Sequence, residues 1–191
     1  MADWVLADGG RKANTVFVTT SAFPVVGART QGFQAEYNKL CPTCGLDKIE
    51  AQATDFGDKL NTQIVAYIQA HPAVNYVVAG VSDMVTGLTS ALSSAGLSTK
   101  VKILTNDINP ALQQDIESGT ALKAVTMMEN TNMMWQALDV IVRNLAGKPY
   151  DATVSATPNM WIVDKSNVAS FQDPYPIVAD YQSQYKKLWG V

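Results

Sequence analysis

Short apolar, β-branched runs alternate with helical stripes along most of this chain. Thr15–Thr19 (TVFVT) reads as a strand, and Ala28–Leu40 as a helix that stops before Pro42 and Gly45. Ile49–Ala53 is predicted as a second strand. Leu60, Ile64, Tyr67 and Ile68 fall on one helical face, and Pro72 closes that helix. Asn75–Ala79 (NYVVA) is nearly all apolar, as a strand buried on both faces should be. A helix through Leu88, Leu92 and Ala95 ends at Gly96, which suits the left-handed position after a helix. Val101–Thr105 follows as a strand, Ala111–Ser118 as a helix and Leu122–Thr126 as another strand. Met134, Leu138, Ile141 and Leu145 stripe a helix over Asn132–Leu145. Val154–Val163 reads as extended, and Ile177, Tyr181, Tyr185 and Leu188 stripe a terminal helix.

Successive βα units with short loops predict an α/β fold, a parallel sheet flanked by helices on both faces. Ligands of such sheets sit beyond the carboxyl ends of the strands. The segments that follow the strands carry TTSAFPVVG at 19–27, TDFGD at 54–58, GVSDM at 80–84, NDINP at 106–110 and MMENT at 127–131. Polar and aromatic groups recur there while the strand interiors stay apolar, the pattern of a crevice with many weak polar contacts.

Composition narrows the chemistry. The 191 residues are 47% hydrophobic and 16% charged, with a formal net charge of −3. Basic residues cluster only at GGRK (9–12) and at Lys186-Lys187, too little for a phosphate-binding surface, so no nucleic acid is expected. One histidine and two cysteines cannot build a four-ligand zinc site. His71 precedes Pro72, at the end of a helix, where it suits the dipole better than catalysis. No GxxxxGK[ST] or GxGxxG run occurs, so no phosphate-bearing cofactor is implied. Gly80–Met84 lacks the closing glycine of a nucleophile elbow and has no histidine downstream.

Asp83 and Asp107 both follow strands. Such carboxylates can hold a hard cation, accept hydrogen bonds from sugar hydroxyls, or cap the next helix. Cys41-Pro42-Thr43-Cys44 follows a helix instead of opening one, so the thiol activation of a redox enzyme is missing. It reads as a local disulfide at a turn in an oxidising compartment, with two reduced loop cysteines as the alternative.

Arg29-Thr-Gln-Gly-Phe33, TDFGDKL, SDMVTGLTSALSSAGL, VKILTNDI and IESGTALKAV occur in that order. The series resembles the type I periplasmic sugar-binding proteins, relatives of LacI-type effector domains, over roughly residues 3–165. The resemblance implies a Rossmann-like lobe that closes with a second lobe on a small sugar and delivers it to an ABC transporter permease. It implies a non-enzymatic, extracytoplasmic protein, periplasmic or lipid-anchored, which agrees with a disulfide between Cys41 and Cys44. Asp107 matches the acidic residue that holds sugar hydroxyls, and Phe56 the aromatic that stacks on a sugar face or packs its loop on a helix. The family's Asn-Asp pair falls on Val81-Ser82 or Ser82-Asp83. Its binding arginine falls on Gly27, Arg29 matches a neighbouring arginine that is more often structural, and its glutamine falls on Met128. Phe23 and Glu129 join the candidate contacts by position.

The same resemblance divides the chain into 1–127, the second lobe; 128–165, a hinge crossing and remnant of the first lobe; and 166–191, a helical extension. Most of the first lobe would be missing, so the helix Asn132–Leu145 would expose an apolar face and favour self-association. An effector domain of a LacI-type regulator is the alternative. A metal-dependent sugar phosphatase using Asp83 and Asp107 is a more distant one.

Overall fold

In a computed structural model, residues 1–148, 160–171 and 179–190 are described. Two compact units emerge: Met1–Thr126 with Ile162–Ala169, and the remainder of the chain.

The first unit begins with a helix absent from the sequence expectation, α1 (Ala2–Gly9), whose Ala2 and Val5 are buried. Its ADWVLADG sequence holds too few turns for a clear periodic stripe. Then follow β1 (Asn14–Thr19), α2 (Pro24–Leu40), β2 (Gly45–Glu50), α3 (Asp58–Ala70), β3 (Tyr76–Ala79), α4 (Leu88–Ser94), β4 (Lys102–Asn106), α5 (Pro110–Glu117) and β5 (Leu122–Met128). After α6 (Asn130–Leu145) come β6 (Met160–Asp164) and α7 (Tyr181–Trp189). The sheet has six strands in the order β2-β1-β3-β4-β5-β6, and the four pairings from β2 to β5 are parallel. The predicted parallel α/β sheet is therefore present.

Two boundaries moved for local reasons. Helix α2 starts at Pro24 and not at Ala28, because proline lacks an N–H and is preset for the first helical turn. Strand β2 is Gly45–Glu50, four residues before the expected Ile49–Ala53, and Ala53–Asp55 is a 3-10 turn. As an edge strand β2 buries Ile49 and little else, so no apolar run marked its start. The expected extended stretch from 154 to 159 and Ile177 lie outside the described residues.

Alternate strand residues serve opposite faces. Phe17, Tyr76, Val78, Leu104 and Ala124 pack with Ala2 and Val5 of α1 and with Phe33 and Tyr37 of α2 in one core. Val16, Val18, Val77 and Ile103 are equally buried and face the other way. The buried stripes of α3 (Leu60, Ile64, Ile68) and α4 (Leu88, Leu92) cover that second face. Cys41 and Cys44 form a disulfide at the end of α2, immediately before β2. It closes the amino-terminal end of the sheet, away from the strand ends that carry the crevice.

In the second unit α6 packs with α7 around Trp135, whose ring meets Tyr181, Tyr185 and Trp189. No residue of α6 is fully buried, and Met134, Leu138, Ile141 and Leu145 are exposed. Among the described residues no helix is long and apolar enough to cross a membrane.

Candidate binding crevice at the carboxyl strand ends

Strand order reverses between β1 and β3: the chain steps from β1 outward to β2, then returns past β1 to β3. The connections that leave the two adjacent strands run in opposite directions at such a switch point and leave a crevice between the loops. Four loops meet its rim, after β1, β2, β3 and β4. Their starts are held in register, with Ala51 N donating to Thr19 O, Gly80 N to Val18 O and Asp107 N to Thr126 O.

Under the rim lies a buried polar scaffold. Asn106, the last residue of β4, donates through Nδ2 to the carbonyls of Ala79 (3.1 Å) and Gly80 (3.2 Å). Its Oδ1 accepts from Thr126 Oγ1 at 2.6 Å, so one side chain links the ends of three strands. Every such buried group is costly if unpaired, which makes the ends of β3, β4 and β5 rigid together. Thr19 and Thr30 share a buried 2.7 Å hydroxyl contact, which ties β1 to the first turns of α2.

Asp107 follows at φ +69°, a left-handed conformation that aspartate tolerates better than most residues. Arg29 reaches it from α2. Nη1 donates to Asp107 Oδ2 at 2.8 Å and Nη2 to Oδ1 at 3.2 Å, while Nη1 also donates to Gly80 O at 2.9 Å. Both side chains are partly shielded, 17% and 28% exposed, so the forked pair is stronger than a surface bridge. The arginine thus joins α2 to the segments after β3 and β4. With both oxygens of Asp107 held by a guanidinium, the carboxylate is poorly disposed to ligate a metal. Among the described residues no three His, Cys, Asp or Glu side chains gather as a metal site would require.

The other sequence candidates distribute around this pair. Phe23 precedes α2 and is 44% exposed. Phe56 follows the 3-10 turn after β2 and is half-buried. Ser82 and Asp83 open the 3-10 turn after β3, with Ser82 buried and Asp83 exposed. Glu129 belongs to the second unit, where it precedes α6 and is buried. Asp107, Ser82, Asp83, Phe23 and Phe56 therefore share the carboxyl rim of one sheet. The sequence reading left out Asn106 and gave Arg29 a structural part. An Asn-Asp pair ending an apolar strand was the available signal for Asn106; nothing linear pointed Arg29 at Asp107, 78 residues away.

The periplasmic binding protein domain family matches residues 1–149, most of the chain. The chain belongs to that family. Its members are binding proteins and not enzymes, and they work outside the cytoplasm. No curated protein sequence matches the chain. Among solved structures it is similar to an ABC transporter solute-binding protein from Agrobacterium vitis with bound allitol, at a TM-score of 0.77 and 17% identity. That likeness covers 88% of this chain and 59% of the other. GanP, a glucose-galactose binding protein from Geobacillus stearothermophilus, superposes with a TM-score of 0.76 at 17% identity, covering 87% of this chain and 58% of its own. A periplasmic solute-binding protein from Actinobacillus succinogenes 130z with bound D-allose gives 0.75 at 17% identity, covering 89% and 59%. This periplasmic binding protein domain thus spans little more than half the length of these structures.

Proposed function

We propose that the chain is the solute-binding part of an ABC-type sugar importer and that the rim around Asp107 is its half of a two-lobed sugar crevice. The observation that carries this reading is the placement of Asp107 at the carboxyl end of β4, on a buried scaffold and tied through Arg29 to Gly80, which follows β3 beside the topological switch point. A carboxylate there has lone pairs to offer sugar hydroxyls, and charge-assisted hydrogen bonds of that kind are the strong ones. Phe56 and Phe23 supply aromatic faces for an apolar sugar face, and Ser82 and Asp83 add polar contacts. The bound allose and allitol of the similar structures support the same ligand class. On this reading the partners are a sugar, a first lobe and a permease, and the location is periplasmic or lipid-anchored at the cell surface. The exposed stripe of α6 is then a docking face, for that first lobe or, in the chain alone, for a second copy.

The Cys41–Cys44 disulfide favours an exported binding protein over a cytosolic effector domain, whose thiols would stay reduced. The test is calorimetric titration of the full reading frame with neutral sugars and sugar alcohols. Asp107→Ala should cost about 1.5–3 kcal/mol, or one to two decades in affinity. Unchanged affinity in that variant would overturn the site.

A further inference from the structure

We infer that Arg29 sets the charge selectivity of this crevice, holding Asp107 in a neutral pair so that the site takes uncharged polyhydroxy solutes and rejects their amino-substituted, cationic counterparts. The inference rests on the sugar-binding reading and adds a specificity to it. A lone carboxylate at a strand end would attract any cation that reached it. Here the guanidinium lies on that carboxylate through two bonds and is itself anchored to Gly80 O. The arginine is fixed by the fold at both ends of its fork and not swung in from solvent.

Hydrogen-bond supply makes the same selection. An ionised carboxylate can accept about four hydrogen bonds, and Arg29 occupies two of those positions. A guanidinium carries about five N–H donors, of which the two Asp107 bonds and the Gly80 bond engage three. Among the described residues, these bonds leave acceptor positions on Asp107 and the Nε and second Nη2 donors of Arg29 unused. A hydroxyl satisfies both, donating to Asp107 and accepting from Arg29. An ammonium group has donors only, so it leaves the arginine unanswered and meets a like charge in a partly shielded site. Asp83 is exposed on the neighbouring turn, where water and salt screen its charge.

The experiment compares each neutral sugar that binds the full-length protein with its 2-amino-2-deoxy analogue, at about pH 6, where the amine is protonated. The panel is allose, galactose, glucose and arabinose, with fructose and tagatose compared through their 1-amino-1-deoxy analogues because C2 is their anomeric carbon. Wild type should prefer the neutral sugar by about tenfold or more. Arg29→Met should move that ratio toward the amine by a similar factor, while Arg29→Lys, which keeps the charge and loses the fork, keeps the wild-type preference. Asp107→Asn should move the ratio the opposite way, because the arginine charge is then uncompensated. A merely structural arginine would weaken both ligands equally in Arg29→Met, and that result overturns the inference while sugar binding stands. Equal affinity of wild type for both ligands overturns it too. Failure of wild type to bind any sugar of the panel overturns the sugar-binding reading and this inference with it.

Discussion

The indole of Trp189 lies parallel to that of Trp135, with ring centroids 5.5 Å apart and 1° between the planes. Trp189 Nε1 also donates to Asp139 Oδ1 at 2.8 Å, and Arg143 Nε holds the other oxygen of that carboxylate at 2.7 Å. Stacking and hydrogen bond together fasten α7 to α6. Trp189→Ala should therefore cost about 1–2 kcal/mol and release α7 locally. Hydrogen exchange of the α7 amides should rise while that of β1 and β3 is unchanged. Equal protection of α7 in the variant would show that the stack does not hold the helix.

A side chain at Gly80 should be felt at the crevice. A Cβ there would sit 2.4 Å from Val26 Cγ1, and Val26 is wholly buried in the first turn of α2. Gly80→Ala should destabilise by about 1–3 kcal/mol through overpacking. Adding Val26→Ala should recover part of that loss, because the two changes share one space and cannot be additive. Urea midpoints of the two single variants and the double variant give the coupling directly.

Acid should loosen α1. Burial works to raise the Asp8 carboxyl, but hydrogen bonds from Lys102 and Tyr76, with the lysine charge, carry it below the ordinary carboxylate range. Burial first, and then Asp8, push the Tyr76 phenol upward. A depressed carboxyl contributes stability that is complete above its unfolded value and lost as pH falls through the folded one. The loss should begin below about pH 4. Asp8→Asn should flatten that part of the stability–pH curve. The effect is small, under about 1 kcal/mol, since the Lys102 pair is partly solvated. An unchanged acid slope in Asp8→Asn would exclude Asp8 as its source.

Reduction should matter little. Cys41 and Cys44 are three positions apart, and so short a loop restrains the unfolded chain by at most about 2 kcal/mol. Cys41→Ser with Cys44→Ser should lower the melting temperature by a few degrees and leave sugar binding intact, since the disulfide lies at the other end of the sheet. Intact mass with and without alkylation checks the bond itself: two labelled thiols in protein from an oxidising compartment would deny it.

What the linear pattern determined is the alternation. TVFVT, NYVVA and VKILT are strands because their apolar residues must be covered on both faces, and α3 and α4 carry the matching stripes. Local chemistry likewise marked Gly96, at φ +70°, as a helix stop, and the strand ends as the place to seek a site. Tertiary structure decided everything that depends on which distant groups meet. The edge strand β2 has one buried residue, Ile49, so only its pairing with β1 defines it. Helix α1 is short, and its burial against α2 and the sheet, not its own periodicity, fixes it. The partnership of Arg29 with Asp107 could not be read from either residue's surroundings, because a hydrogen bond is local in space and these two are brought together only when β1, β3 and β4 align. Periodicity reports how a segment must face its core; it carries no record of the long-range pairing that sets a crevice's charge.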